Sequence, residues 1–179
     1  EDKDKLKLEK DTQISVEFEG KMPTAYHINN TDTLDSFPLW PAFWLMGSEF
    51  WKQGDELAVW PSCSEIDVLE WAPTKGIDKY SNAIHWDTAV ERVTEPDNAN
   101  AKMSGATVDR GNLKNGFHKY KTIISRDKND KVEIKMFFDG IPTNRYHINE
   151  DDSGQQKEFY TSPASDDYKY YGLLMNMAL

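Results

Sequence analysis

Disulfides are excluded first. The chain of 179 residues has one cysteine, Cys63, so no intrachain bridge can staple it, and cysteine usage is silent on redox compartment. Basic charge is also scarce. Lys and Arg number 21 against 31 Asp and Glu, a net charge of −10 with a pI near 4.8. Nucleic acid and anionic membrane surfaces both select basic patches, so neither is an expected partner. Long apolar runs are missing too. Mean hydropathy is −0.75 and no window approaches the length of a membrane helix, so no membrane insertion is expected. No apolar signal segment opens the stretch, which starts Glu1-Asp2-Lys3-Asp4-Lys5. The sequence contains no G-x-S-x-G, no P-loop, no G-x-G-x-x-G and no EF-hand loop. Its four histidines, His27, His85, His118 and His147, are dispersed and show no ligand spacing with Cys63, so we expect no metal site, and His118 reads as structural.

What is present is aromatic. Phe, Trp and Tyr make up 12% of a chain long enough for one domain, residues 1–179, that buries about two thirds of its unfolded surface. Thr12 to Glu19 alternates, with Ile14, Val16 and Phe18 on one face, and is predicted as a strand. Gly20 to Ser36 reads as a loop. Leu39 to Met46 is apolar on both faces, Trp40, Ala42 and Trp44 on one and Leu39, Phe43 and Leu45 on the other, as for a strand inside a sandwich. Ser48 to Leu57 has room for a short helical turn. Asn82 to Asp87 alternates again, and Glu91 to Gly116 reads as loop with at most one strand.

Phe117 to Arg126 and Lys131 to Asp139 form the clearest hairpin, joined by Asp127-Lys128-Asn129-Asp130. Asp139-Gly140 turns the chain into Ile141 to Tyr146, Glu150 to Asp167 is polar with room for a short helix, and Tyr171 to Leu179 is apolar. Short strands, frequent turn signals and no sustained helical period predict an all-β antiparallel sandwich.

The chemistry concentrates in Trp60-Pro61-Ser62-Cys63-Ser64-Glu65-Ile66-Asp67-Val68-Leu69-Glu70-Trp71. On a regular strand Glu65 and Asp67 share a face while Glu70 points to the other. One extra residue bulging at Val68-Leu69 returns Glu70 to the face of Glu65 and Asp67. Two carboxyls flanking a scissile bond are what a glycosidase uses, one as nucleophile and one as acid/base. A third between them holds negative charge nearby and tunes their protonation. The plainer alternative is a half-exposed strand with an acidic face.

This segment resembles the active-site strand of the bulged, laminarinase-like branch of glycoside hydrolase family 16, whose pattern is E-I-D-x-x-E preceded by Trp-Pro. Leu39-Trp40-Pro41-Ala42-Phe43-Trp44-Leu45-Met46-Gly47 is similar to that family's second signature, about twenty residues upstream. Phe117-His118-Lys119-Tyr120, Phe137-Phe138-Asp139-Gly140 and Leu174-Met175-Asn176-Met177-Ala178 resemble its later strands. The likeness runs from about Thr12 to the last residue.

The resemblance implies a jelly roll of the concanavalin-like type, with a concave glycan-binding cleft, in a single catalytic domain lacking the family's outermost N- and C-terminal strands. It implies that Glu65 is the nucleophile, Glu70 the acid/base, raised by its acidic neighbours, and Asp67 the carboxylate that tunes them. It also implies substrate contacts. Trp40, Trp44 and Trp60 are candidate sugar platforms, His85 a residue near the leaving group, and Asn176 a partner for a sugar hydroxyl. For each of these the ordinary core or hydrogen-bonding role stands beside the functional one. Where the family usually has Gly before the first Glu, this chain has Ser64, and the backbone there is expected to favour the freedom of glycine.

The activity so implied is a retaining endo-β-glucanase on β-1,3-glucan of laminarin type, extracellular or cell-wall associated, monomeric and free of catalytic cofactors. Asn29-Asn30-Thr31, the one N-x-S/T triplet, agrees with secretion but also arises by chance. A structural calcium is common in the family, built from chain ends that are not matched here, so no site is placed. Two other activities fit the same motifs: a cell-wall glucan transglycosylase, whose products outgrow the substrate, and a non-catalytic glucan-recognition protein, in which the catalytic acids are typically replaced.

Overall fold

The computed structural model describes residues 6–22, 40–51, 60–61, 63–71, 78–86, 102–110, 113, 115–148, 159–160 and 168–178. The loop expected over residues 20–36, with Asn29 and His27, lies almost wholly outside these, as does the helix allowed over 150–167, apart from Phe159 and Tyr160.

Among the described residues, ten antiparallel strands form two sheets: β1 (Leu6–Glu9), β2 (Thr12–Gly20), β3 (Trp40–Gly47), β4 (Glu65–Glu70), β5 (Lys79–Trp86), β6 (Lys102–Asp109), β7 (His118–Arg126), β8 (Val132–Phe138), β9 (Ile141–Ile148) and β10 (Tyr168–Ala178). One sheet runs β1-β10-β3-β4-β5-β6 and the other β2-β7-β8-β9. The all-β sandwich expected from the sequence is therefore the fold. β3, apolar on both faces, lies inside the larger sheet between β10 and β4.

The turns follow from local chemistry. Asp139 and Gly140, at φ 48° and 78°, take the left-handed geometry that suits a two-residue hairpin, and Phe138 pairs with Ile141 across it. His118 Nδ1 lies 2.8 Å from the Asp139 carboxylate, which also accepts the Lys119 amide at 2.8 Å, so this histidine braces the turn as expected of a structural residue. In the other hairpin Asp127 accepts from the Asn129 and Lys131 amides, each at 2.8 Å.

β1 was not anticipated. Its four residues sit in a highly charged stretch where Leu6 and Leu8 alone carry the alternation, yet Leu8 is fully buried and the strand pairs with β10. The Thr12 hydroxyl donates to the Glu9 carbonyl at 2.6 Å and links β1 to β2 in the opposite sheet.

Between the sheets β8 contributes Val132, Ile134, Met136 and Phe138, all buried. Rings from both sheets meet there: Phe18 on Phe43 at 5.1 Å, Tyr80 on Tyr120 at 5.3 Å and Tyr120 on Phe138 at 5.4 Å. Ile66, Val68 and Leu69 of β4 join this cluster, each at most 1% exposed. Burial of such a side chain contributes about 2 kcal/mol, so three of them fix which face of β4 turns inward.

Candidate active site

β4 carries the expected bulge. On the β5 side Asp67 pairs with Ala83 and Glu70 with Ser81, so Val68 and Leu69 together oppose the single residue Asn82. On the β3 side Leu69 pairs with Phe43 and Asp67 with Trp44, with Val68 as the extra residue. Both apolar residues turn inward. Glu65, Asp67 and Glu70 consequently share the outer face, lining a cavity of about 190 Å³ with Trp40, Ala42, Trp44 and Asn176.

At the bulge the Val68 carbonyl accepts from a side chain of the neighbouring strand, Asn82. Its side-chain amide donates to Val68 O at 2.6 Å from a position only 1% exposed. Asn82 Oδ1 in turn accepts from Asn144 Nδ2 of β9 in the other sheet. Sequence reading missed this pair, because the partner of a bulge carbonyl leaves no periodic mark. The one available signal was an Asn at an inward position of a strand between Tyr80 and Ile84, where a polar group must find a partner.

A turn delivers the chain into β4. The Trp60–Pro61 peptide is cis, and the Ser64 amide donates to Pro61 O at 2.8 Å. Ser64 stands at φ 63° and is fully buried, the conformation anticipated from its replacement of a family glycine. A non-glycine residue held there costs roughly 1–2 kcal/mol. The Ser64 hydroxyl offsets part of that cost by accepting from Nζ of the buried Lys169 at 3.4 Å.

The indoles expected as sugar platforms are tied to the polar groups of the site. Trp60 Nε1 donates to Glu65 Oε2 at 2.7 Å, Trp40 Nε1 to Glu70 Oε1 at 3.2 Å and Trp44 Nε1 to Asn176 Oδ1 at 2.8 Å. Each outer carboxylate is thus oriented by an indole. His85, opposite Glu65 on β5, places Nε2 3.1 Å from Asp67 Oδ2 and 3.8 Å from Glu65 Oε1, with its ring 5.6 Å from that of Trp60. All eight residues singled out in the sequence lie on or beside this outer face. One ligand atom each from Glu65, Asp67 and His85 fall within 4.8 Å of one another, a grouping that sequence spacing did not reveal.

Electrostatics follow from the packing. Burial, then the charge of Asp67, push Glu65 up to about 7, against the pull of His85 and the Trp60 hydrogen bond. Burial disfavours the charged form of His85, but its hydrogen bond to Asp67 and the charges of Asp67, Glu65 and Glu70 outweigh it and raise its pKa. The neighbours thus divide protons among themselves, with Glu65 titrating near neutrality.

No family model matches the sequence, and no curated protein matches it. Solved structures do share the fold. A glycoside hydrolase family 16 endo-glucanase from Bacteroides ovatus is 21% identical with a TM-score of 0.57, over 99% of this chain and 58% of that one. An endo-1,3-β-glucanase from Streptomyces sioyaensis is 19% identical at TM-score 0.61, covering 93% and 52%. LamAcat from Zobellia galactanivorans is 20% identical at TM-score 0.60, covering 94% and 56%. The chain spans a little over half the length of these proteins and has the fold of family 16 endo-glucanases.

Proposed function

We propose that this chain is a retaining, endo-acting β-glucanase of the laminarinase-like type, cleaving β-1,3-linked glucan outside the cell or at the cell wall. The observation that carries it is the bulge at Val68-Leu69, which sets Glu65, Asp67 and Glu70 on one face of a recess of about 190 Å³. In the proposed first step the Glu65 carboxylate bonds to the anomeric carbon while Glu70 gives its proton to the departing glycosidic oxygen. In the second, Glu70 as carboxylate takes a proton from water, whose oxygen displaces Glu65. Asp67 holds charge between them, and Trp60 and Trp40 keep the two carboxylates in place. The reaction needs no cofactor.

Reducing-sugar release from laminarin, mixed-linkage glucan, agarose and carrageenan tests this, with Glu65→Gln as control. Glu65-dependent cleavage of laminarin in preference to the others supports the reading, and cleavage that survives Glu65→Gln overturns it.

The protonation of Glu65 gives a second test. A nucleophile with a pKa of about 7 carries a proton and cannot attack below that pH, so kcat/KM is expected to fall as pH drops through 7. Removing the Asp67 charge lowers the Glu65 pKa, so Asp67→Asn should move this acid limb to lower pH. Removing His85, which opposes the rise, should move it to higher pH. An acid limb that stays put in both variants assigns it to another group.

A further inference from the structure

We propose that Trp51, with Phe50 beside it, forms a stacking subsite for a pyranose unit of the glucan on the outer face of the larger sheet, two strands from Glu65. This rests on the glucanase reading above. Residues paired directly across strands share a face, and the ladder runs His85–Glu65–Met46–Gly172 from β5 through β4 and β3 to β10. Gly172 therefore opens on the same face as Glu65. At a strand spacing of about 4.8 Å it lies roughly 10 Å away across the sheet.

Trp51 closes the short 3₁₀ turn Ser48–Trp51 that follows β3, and its six-membered ring comes down on this glycine. A Cβ at residue 172 would lie 2.7 Å from Trp51 Cη2 and 2.8 Å from Cζ3, so a side chain there would have to push the indole aside. Glycine at 172 thus makes room for the indole. Trp51 remains 50% exposed, and Phe50, 43% exposed, meets it edge to face at 5.6 Å and 88°. Two large aromatics are held in a defined pose with much of their surface in water.

The recess over the carboxylates supplies the need. Its volume of about 190 Å³ falls below the roughly 300–1,000 Å³ of a whole ligand site, so it houses the reacting unit and the chain must continue beyond it. The span to Gly172 is on the order of a disaccharide. Trp40, Trp44 and Trp60 have their indole N–H groups engaged with Glu70, Asn176 and Glu65, which suits them to holding the site in shape. Trp51 stands outside that set, at the distance where the next sugars pass, and offers the apolar ring surface on which the C–H face of a pyranose packs.

The test is steady-state kinetics of the wild type, Trp51→Ala and Trp51→Phe on β-1,3-gluco-oligosaccharides of increasing length. For the longer ones Trp51→Ala is expected to raise KM about five- to tenfold, the worth of one aromatic contact, with kcat within about twofold. For the shortest cleaved substrate KM should not change, and Trp51→Phe should recover much of the loss. A KM effect independent of length, or none, overturns the subsite, since damage to the fold would act on all lengths alike. Should the wild type cleave no β-glucan, the glucanase reading falls and binding of the same oligosaccharides decides the subsite. Length-dependent weakening by Trp51→Ala, followed by calorimetry, upholds it, and equal affinity or no binding ends it.

Discussion

Glu65→Gln is expected to lower kcat on laminarin by at least about 10⁴-fold, because in the proposed mechanism no glycosyl-enzyme forms without the carboxylate and what remains is binding and the acid. The same change should make the protein more stable at high pH. An ordinary glutamate titrates near 4.5, whereas Glu65 in the fold titrates at about 7. The folded state therefore holds the proton more tightly than the unfolded chain. The resulting stability is fully present below about pH 4.5 and is lost as pH rises through 7. At pH 8 the native carboxylate, mostly buried, costs the fold about 2–3 kcal/mol, which a glutamine does not incur. Denaturant melts at pH 4.5 and pH 8 measure this: the two proteins should differ little at the first and clearly at the second. Glu70→Gln gives a contrasting loss of about 10²–10⁴-fold on laminarin. Aryl glycosides, whose leaving group departs without a proton, should be spared much of that loss in the first step. Near-normal laminarin turnover by Glu70→Gln would remove it from the acid/base role.

Asn82→Ala is expected to be the most damaging change away from the reacting groups. It strips the Val68 carbonyl of its buried donor and leaves the Asn144 amide unpaired, a loss of about 1–3 kcal/mol. It also frees the bulge that sets how Glu70 stands to Glu65. A displacement near 1 Å at that point costs on the order of 10²-fold in rate. The role is positioning, so kcat should fall while KM for laminarin holds, and the acid limb near pH 7 should stay where it is because the surroundings of Glu65 are intact. Asn82→Asp tests the donor specifically: it keeps the size, cannot donate when ionised, and should be no better than alanine. A fall in stability without a fall in kcat would make Asn82 a purely structural residue.

The sandwich was legible because alternation survives in the hairpin strands and because Asp139-Gly140 and Asp127 to Asp130 write their turns in residue types that tolerate positive φ. The bulge was legible for a different reason. Three carboxylates share one face of β4 only if one residue is added, so the chemistry implied the backbone defect. Three features left no such trace. β1 is four residues inside a charged stretch, and its identity as a strand comes from pairing with β10, more than 150 residues away along the chain. The indole hydrogen bonds to Glu65 and Glu70 depend on which edge of each ring turns toward the cleft, which residue type does not encode. Trp51 was overlooked because Ser48 to Leu57 has no period, and its meaning appears only once Gly172 lies beneath it.

The bulge also bears on which mutations this strand can survive. Removing Val68 would leave Glu65-Ile66-Asp67-Leu-Glu, in which simple alternation already turns the last glutamate to the same side as the first two. Losing one codon there is gentler than gaining one: with a residue added after Leu69, simple alternation again turns the last glutamate outward, but it also turns Leu69, now 1% exposed, out of the core. Two chain lengths, one kinked and one straight, solve the same spatial problem and lie a single in-frame deletion apart. A lineage could pass between them without first surrendering its carboxylates. It would leave behind an asparagine at 82 whose amide no longer had anything to hold.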